Sequence, residues 1–243
     1  MASPVFTRNK NFNSNTAPVK YSSGQVMTLD NSLRKTILTF SVLVATAAVG
    51  WFFPVLLLPG LIIGLALGLV NAFKKEPSPG LILGYAVAEG FAIGALSGIF
   101  NGMYPGIVTQ AVLGTFSVIA VTLFLYKTGL VRATPKMTKI VLIAMLGYLV
   151  FSLVNLTLMW TGVLNDAWGL RGAEIFGIPL GIILGVFAVV LGAYSLIMDF
   201  DFIEKGVTNG LPERYGWTAA FGITVTVVWL YVEILRMLAI ARD

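Results

Sequence analysis

Residues 175–206 read IFGIPLGIILGVFAVVLGAYSLIMDFDFIEKG: twenty-four positions without a Lys, Arg, Asp or Glu, then Asp199, Asp201, Glu204 and Lys205 in quick succession. A helix needs about 20 apolar residues to cross the hydrocarbon core of a bilayer. Segment 175–198 is long enough, and the charges that follow mark the edge of the span.

Working outward, six further blocks have the same character: 36–53, 55–73, 81–100, 107–126, 140–161 and 217–240. The connections between them are short, so no extramembrane domain fits and any chemistry belongs to the spans and their ends. Residues 34–243 are therefore expected to form one all-α, polytopic membrane domain, a bundle of seven transmembrane helices. Residues 1–33 are rich in Asn, Ser and Thr and lack the continuous apolar core of a signal peptide. They are expected to be a flexible polar tail, with Thr28 to Asn31 leading into the first helix.

Composition agrees. Hydrophobic residues make up 57% of the chain and charged residues 11%, against about 25% charged in a soluble domain. The chain has no Cys and no His, which excludes disulfides, iron–sulfur clusters, His-dependent zinc sites and Ser-His-Asp triads. An aspartyl protease would need two facing intramembrane aspartates, and a retinal Schiff base would need a lysine that block 217–240 lacks. No enzyme is expected, and no resident cofactor. The formal charge of +5 does not point to nucleic acid, because no basic domain carries it. With the N-terminus in the cytoplasm, thirteen of the sixteen Lys and Arg fall on that side and only Arg171, Arg236 and Arg242 on the other. Charge bias thus predicts a multi-pass cell-membrane protein with its N-terminus inside. The C-terminus is then outside if all seven blocks span, and inside if a late block is re-entrant.

Glycines recur at four-residue spacing: Gly60, Gly64 and Gly68, then Gly90, Gly94 and Gly98, then Gly177, Gly181 and Gly185. Such faces let helix backbones approach closely, which is how helices associate in lipid.

Ionisable residues within spans are costly and so informative. Glu89, in AVAEGFAIG, is the only charge on its block. No sequence neighbour neutralises it, so it needs Arg236, a water cavity, a proton or a cation. Asp199 lies at the end of block 175–198, with Asp201 and Glu204 at the solvated edge beyond. Glu233 and Arg236 stand three apart, and their plainest reading is a structural ion pair. With no His, pH sensing falls to carboxylates, which titrate as a coupled unit when they lie close together. Calcium wants six to eight oxygens. The few carboxylates here suit a weak, transient Ca2+ contact at Asp199 and Glu89 rather than storage.

Three stretches resemble one family. AYSLIMDFDFIEKG (193–206), followed by VVWLYVEILRMLAI (227–240), looks like the end of the Bax inhibitor-1 family of seven-span proteins, and YAVAEGFAIGALSG (85–98) looks like its early glycine-rich helix. The opening SPVFTRNKNF (3–12) and the ending TVTVVWLYVEILRML (224–238) are similar to its bacterial, YccA-like branch. The resemblance implies a bundle with the last helix central and a pH-sensitive calcium leak. In some members it implies suppression of cell death or modulation of membrane-bound proteases. It also implies a proton-sensitive latch between aspartates on the last two helices. Asp199 matches the first aspartate, whereas alignment on Arg236 puts Thr226 at the second. Glu89 is the better substitute partner for Asp199, because Glu233 falls toward the other side. The expectation is a cation leak gated by protonation of Asp199, with Glu89 as the intramembrane cation or proton contact and Arg236 as counter-charge. The alternative is a non-transporting regulator that binds a membrane protease or another membrane protein through its tail.

Overall fold

The computed structural model describes residues 25–243. Among the described residues, seven helices are long and apolar enough to cross a membrane: α1 (Leu29–Gly50), α2 (Leu57–Phe73), α3 (Pro79–Met103), α4 (Ile107–Lys127), α5 (Pro135–Trp160), α6 (Leu180–Thr208) and α7 (Gly216–Ile240). The protein is an all-α polytopic membrane protein. A 3-10 turn at Pro54–Leu56 leads into α2. Between α5 and α6 the chain forms a second 3-10 turn, Gly169–Gly172, and a small hairpin of β1 (Glu174–Ile175) and β2 (Ile178–Pro179).

The core sits along α7. Over half of the apolar stretch of α3 and of α7 is buried (56% in each), against 17–22% for α1, α2, α4 and α5. The outer helices turn Leu, Ile, Val and Phe outward, as a surface in contact with lipid requires. The last helix packs against α1, α3, α4 and α6 and is central, as the resemblance implied.

Helices α1 and α6 depart from the sequence expectation at their ends. Helix α1 begins at Leu29 rather than 36, because Thr28 and Asn31 form a capping box. The Asn31 backbone N–H donates to Thr28 Oγ1 (3.2 Å) and the Thr28 N–H donates to Asn31 Oδ1 (3.0 Å). Residues 1–24 of the expected tail lie outside the described residues, but its last part is held. The Met27 N–H donates to the Leu211 carbonyl (2.6 Å), the Glu213 N–H donates to the Gln25 carbonyl (2.8 Å), and Met27 is fully buried.

Helix α6 starts at Leu180, since residues 174–179 make the hairpin. Gly177 is therefore its turn residue, at φ +77°, and not part of a helix face. At the other end α6 continues to Thr208. Phe202, Ile203 and Gly206 keep an inner face packed against Met27, Leu211 and Tyr215, while Asp201, Glu204 and Lys205 take the outer side. At 1.5 Å per residue its 29 residues span about 43 Å, more than the roughly 30 Å hydrocarbon core, so the acidic end continues as helix beyond the apolar run.

The other glycine faces are contact seams. A Cβ at Gly94 would stand 2.0 Å from the Ala47 carbonyl oxygen of α1, and one at Gly60 would stand 2.8 Å from the Ala88 carbonyl oxygen of α3. Ion pairs sort the helix ends into two faces. Lys35–Glu213 (3.0 Å), Arg214–Glu76 (3.1 Å) and Arg132–Glu204 (2.6 Å) tie together the start of α1 and the loops before α3, α5 and α7. Asp243 accepts hydrogen bonds from Tyr104 (3.1 Å) and Trp168 (2.8 Å) at the opposite face. The C-terminus therefore lies across the bundle from the start of α1, as seven crossings require.

Candidate functional site: two cavities along the last helix

One face of α7 carries Thr226, Trp229 and Glu233 at helical spacing, and two cavities open along it. The first, about 540 Å3, lies among α2, α3, α5, α6 and α7 and is lined by Tyr85, Glu89, Ser195, Asp199, Thr226 and Trp229 among apolar neighbours. The second, about 1090 Å3, lies among α3, α5, α7 and the Gly169–Gly172 turn, with Tyr148, Ser152, Arg171, Trp229, Glu233 and Arg236 as its polar lining. Leu142, Met145 and Trp229 belong to both and form the septum between them.

The first cavity is acidic. Asp199 is buried (3% exposed) on the inner face of α6. Thr226 donates its hydroxyl to Asp199 Oδ2 at 2.8 Å. The position at which the resemblance puts a second aspartate does face Asp199, but with a neutral donor in place of a second carboxylate. Glu89 is carried by α3 onto the same cavity, and its Oε2 lies where a Cβ on Gly64 would be (2.5 Å). The small residue on α2 thus makes room for the carboxylate. Among the described residues Glu89 makes no ion pair, and no Lys or Arg lines this cavity. Nor, among the described residues, do three or more acidic side chains stand together so as to hold a metal ion. The cavity offers two carboxylates and hydroxyls to whatever enters it.

The remaining candidates lie elsewhere. Asp201 pairs with Lys205 one turn on (2.6 Å), and Glu204 pairs with Arg132 (2.6 Å) and accepts from Tyr126 at the solvated end. Arg236 forms the ion pair with Glu233 that their spacing predicted (2.8 Å) and is not a counter-charge to Asp199 or Glu89. It stands ten residues past Thr226, about 15 Å along the helix.

The second cavity is basic. Glu233 (3% exposed) accepts from Arg236 Nη1 (2.8 Å), from the Tyr148 hydroxyl (2.5 Å) and from Trp229 Nε1 (3.3 Å). Arg171, also buried, approaches Glu233 at 3.9 Å, donates to the Tyr148 hydroxyl (2.9 Å) and Ser152 Oγ (2.9 Å), and lies over the Tyr148 and Phe151 rings. Arg171 is a loop residue turned inward. Asn155 of α5 accepts from the Leu170 N–H (2.6 Å) and donates to the Trp168 carbonyl (3.2 Å), which pins the 3-10 turn that carries it. Arg171, Tyr148 and Ser152 were not expected as site residues, because nothing local in the sequence ties a loop arginine to a glutamate two helices away. The one available signal was that Arg171 is the lone basic residue between blocks 140–161 and 175–198.

Among the described residues, six apolar helices packed around a buried seventh, with ionisable side chains gathered in interior cavities, define a polytopic membrane protein. The family model described as Bax inhibitor 1 like matches residues 3–243, and the chain belongs to that family. No curated relative matches the sequence.

Proposed function

We propose that the protein is a cation leak, with calcium as the ion, gated by protonation of carboxylates in the acidic cavity. The observation that carries this reading is a chamber between spans that holds Asp199 and Glu89 with no basic side chain on its wall. A carboxylate removed from water without a cation partner is costly, so this chamber favours protons or a passing cation. Asp199 is the gate residue, held by Thr226 on α7; Glu89 is the second contact. Tyr85 of α3 is the other ionisable group on the wall. The family adds support as a source of analogy.

The test is calcium and proton flux into liposomes containing the purified full-length protein at pH 6 and pH 8, beside Asp199→Asn and Glu89→Gln. The expected result is a flux that differs between the two pH values and loses that difference in Asp199→Asn. Unchanged flux and pH response in both variants overturns the assignment.

A second reading has its own observation. A cation leaving the acidic cavity past Trp229 meets two guanidiniums and one carboxylate, a net repulsive stretch. That favours a non-transporting regulator of a membrane protease or other membrane partner. Absence of flux at either pH, with partner capture lost on deletion of residues 1–24, selects this reading.

A further inference from the structure

Two guanidiniums share one carboxylate in the basic cavity, and no other acidic side chain lines it. Asp243 is turned away onto Trp168 and Tyr104, outside the lining. Arg171 is buried, so its charge is not solvated. The Arg236 side chain is 31% exposed, paired on one side to Glu233 and open on the other. One positive charge in excess, held within a membrane protein, calls for a counter-anion.

The walls say what kind of anion. Apart from the polar cluster and Asn155, the lining is Leu, Met, Phe, Trp and Ala167. The mouth is formed by Leu146, Leu149, Leu153 and Leu156 of α5, all exposed on the outer surface of the bundle. The cavity therefore opens sideways to lipid and is apolar along its length, with a cationic end. Guanidinium groups bind phosphate oxygens in a planar, often bidentate arrangement. A volume of about 1090 Å3 lies just above the usual range of about 300–1,000 Å3 for small-ligand sites.

We propose that this cavity is a binding site for an anionic phospholipid, with its phosphate on Arg236 and Arg171 and an acyl chain along the leucine face of α5. The occupant neutralises the excess charge. It does not depend on the leak, since the site lies on the other side of the Trp229 septum from Asp199.

The experiment is native mass spectrometry of the full-length protein in neutral detergent, titrated with phosphatidylglycerol or with phosphatidylcholine of the same chains. The wild type is expected to retain phosphatidylglycerol at least about fivefold better, in line with the stabilisation available per basic residue facing an anionic headgroup. Arg236→Gln should remove that preference, and Arg236→Lys should keep part of it. Leu149→Trp fills the mouth without touching any charge and should block both lipids, so the proposal stays testable if Arg236→Gln fails to fold. Equal retention of the two lipids by the wild type, or a preference indifferent to both Arg236→Gln and Leu149→Trp, overturns the site. Displacement of the lipid by glycerol phosphate as effectively as by intact phosphatidylglycerol shows a headgroup-anion site only and overturns the lipid assignment.

Discussion

The two cavities share a wall and differ in almost everything else. Around Asp199 and Glu89 the polar groups are sparse: one threonine hydroxyl on one carboxylate, and no ion pair on the other among the described residues. Around Glu233 they are dense, with two arginines, a tyrosine and a tryptophan converging on one carboxylate. A paired and fully hydrogen-bonded buried charge fixes structure, because removing one member strands the others. A sparsely partnered carboxylate contributes little to stability, and its environment suits the proton or cation exchange proposed above. The structure thus separates a rigid electrostatic knot from a chemically available chamber along one helix.

The comparison can be broken most easily at Glu233. Glu233→Gln leaves Arg171 and Arg236 facing each other without a counter-charge and is expected to cost about 3–5 kcal/mol, the usual penalty for breaking a buried pair. Thermal unfolding in detergent should show a large fall in Tm, and a Tm close to wild type would mean that the knot is not structural. Thr226→Val probes the other side with a smaller expected effect. It removes the one hydrogen bond to Asp199 while keeping shape, at about 1.5–3 kcal/mol if Asp199 is charged and less if it is protonated. The fall in Tm should be smaller than that of Glu233→Gln, and a Tm equal to wild type would show that this hydrogen bond carries no stability. Gly64→Ala comes next. Its new methyl would meet the Glu89 carboxylate, the mobile end of a flexible side chain, so about 1 kcal/mol is expected together with altered flux. Gly94→Ala, which meets the Ala47 backbone instead, should cost more and serves as the packing control.

The same contrast explains what was legible in the sequence. Long uncharged runs announce spans, because length and apolarity are read one residue at a time. Glu89 was visible for the same reason, as a single charge on an apolar block, and Asp199 as the first charge after one. Thr226 was placed through the spacing from Arg236, and α6 and α7 do bring it to Asp199. The early start of α1 was half visible, since Thr28 was read as leading into the helix but Asn31 was not recognised as its capping partner. The basic knot was not legible beyond the Glu233–Arg236 spacing. Arg171 reaches Glu233 only because Asn155 folds the connecting turn inward, and such long-range closure leaves no periodic trace.

The smallest stability effect is expected from Asp199→Asn, and it bears most directly on function. An asparagine carbonyl still accepts from Thr226, and no cation loses a partner, because no Lys or Arg lines the cavity. The relief of burying a carboxylate offsets any loss of geometry, so stability should stay within about 1 kcal/mol of wild type. Flux measured on that intact protein then tests the proposed gating free of any folding defect. A Tm drop as large as that of Glu233→Gln would mean that Asp199 has a partner of its own, and that both cavities are structural. A near-silent Tm with a flattened pH response would place the chemistry on one side of Trp229 and the scaffold on the other.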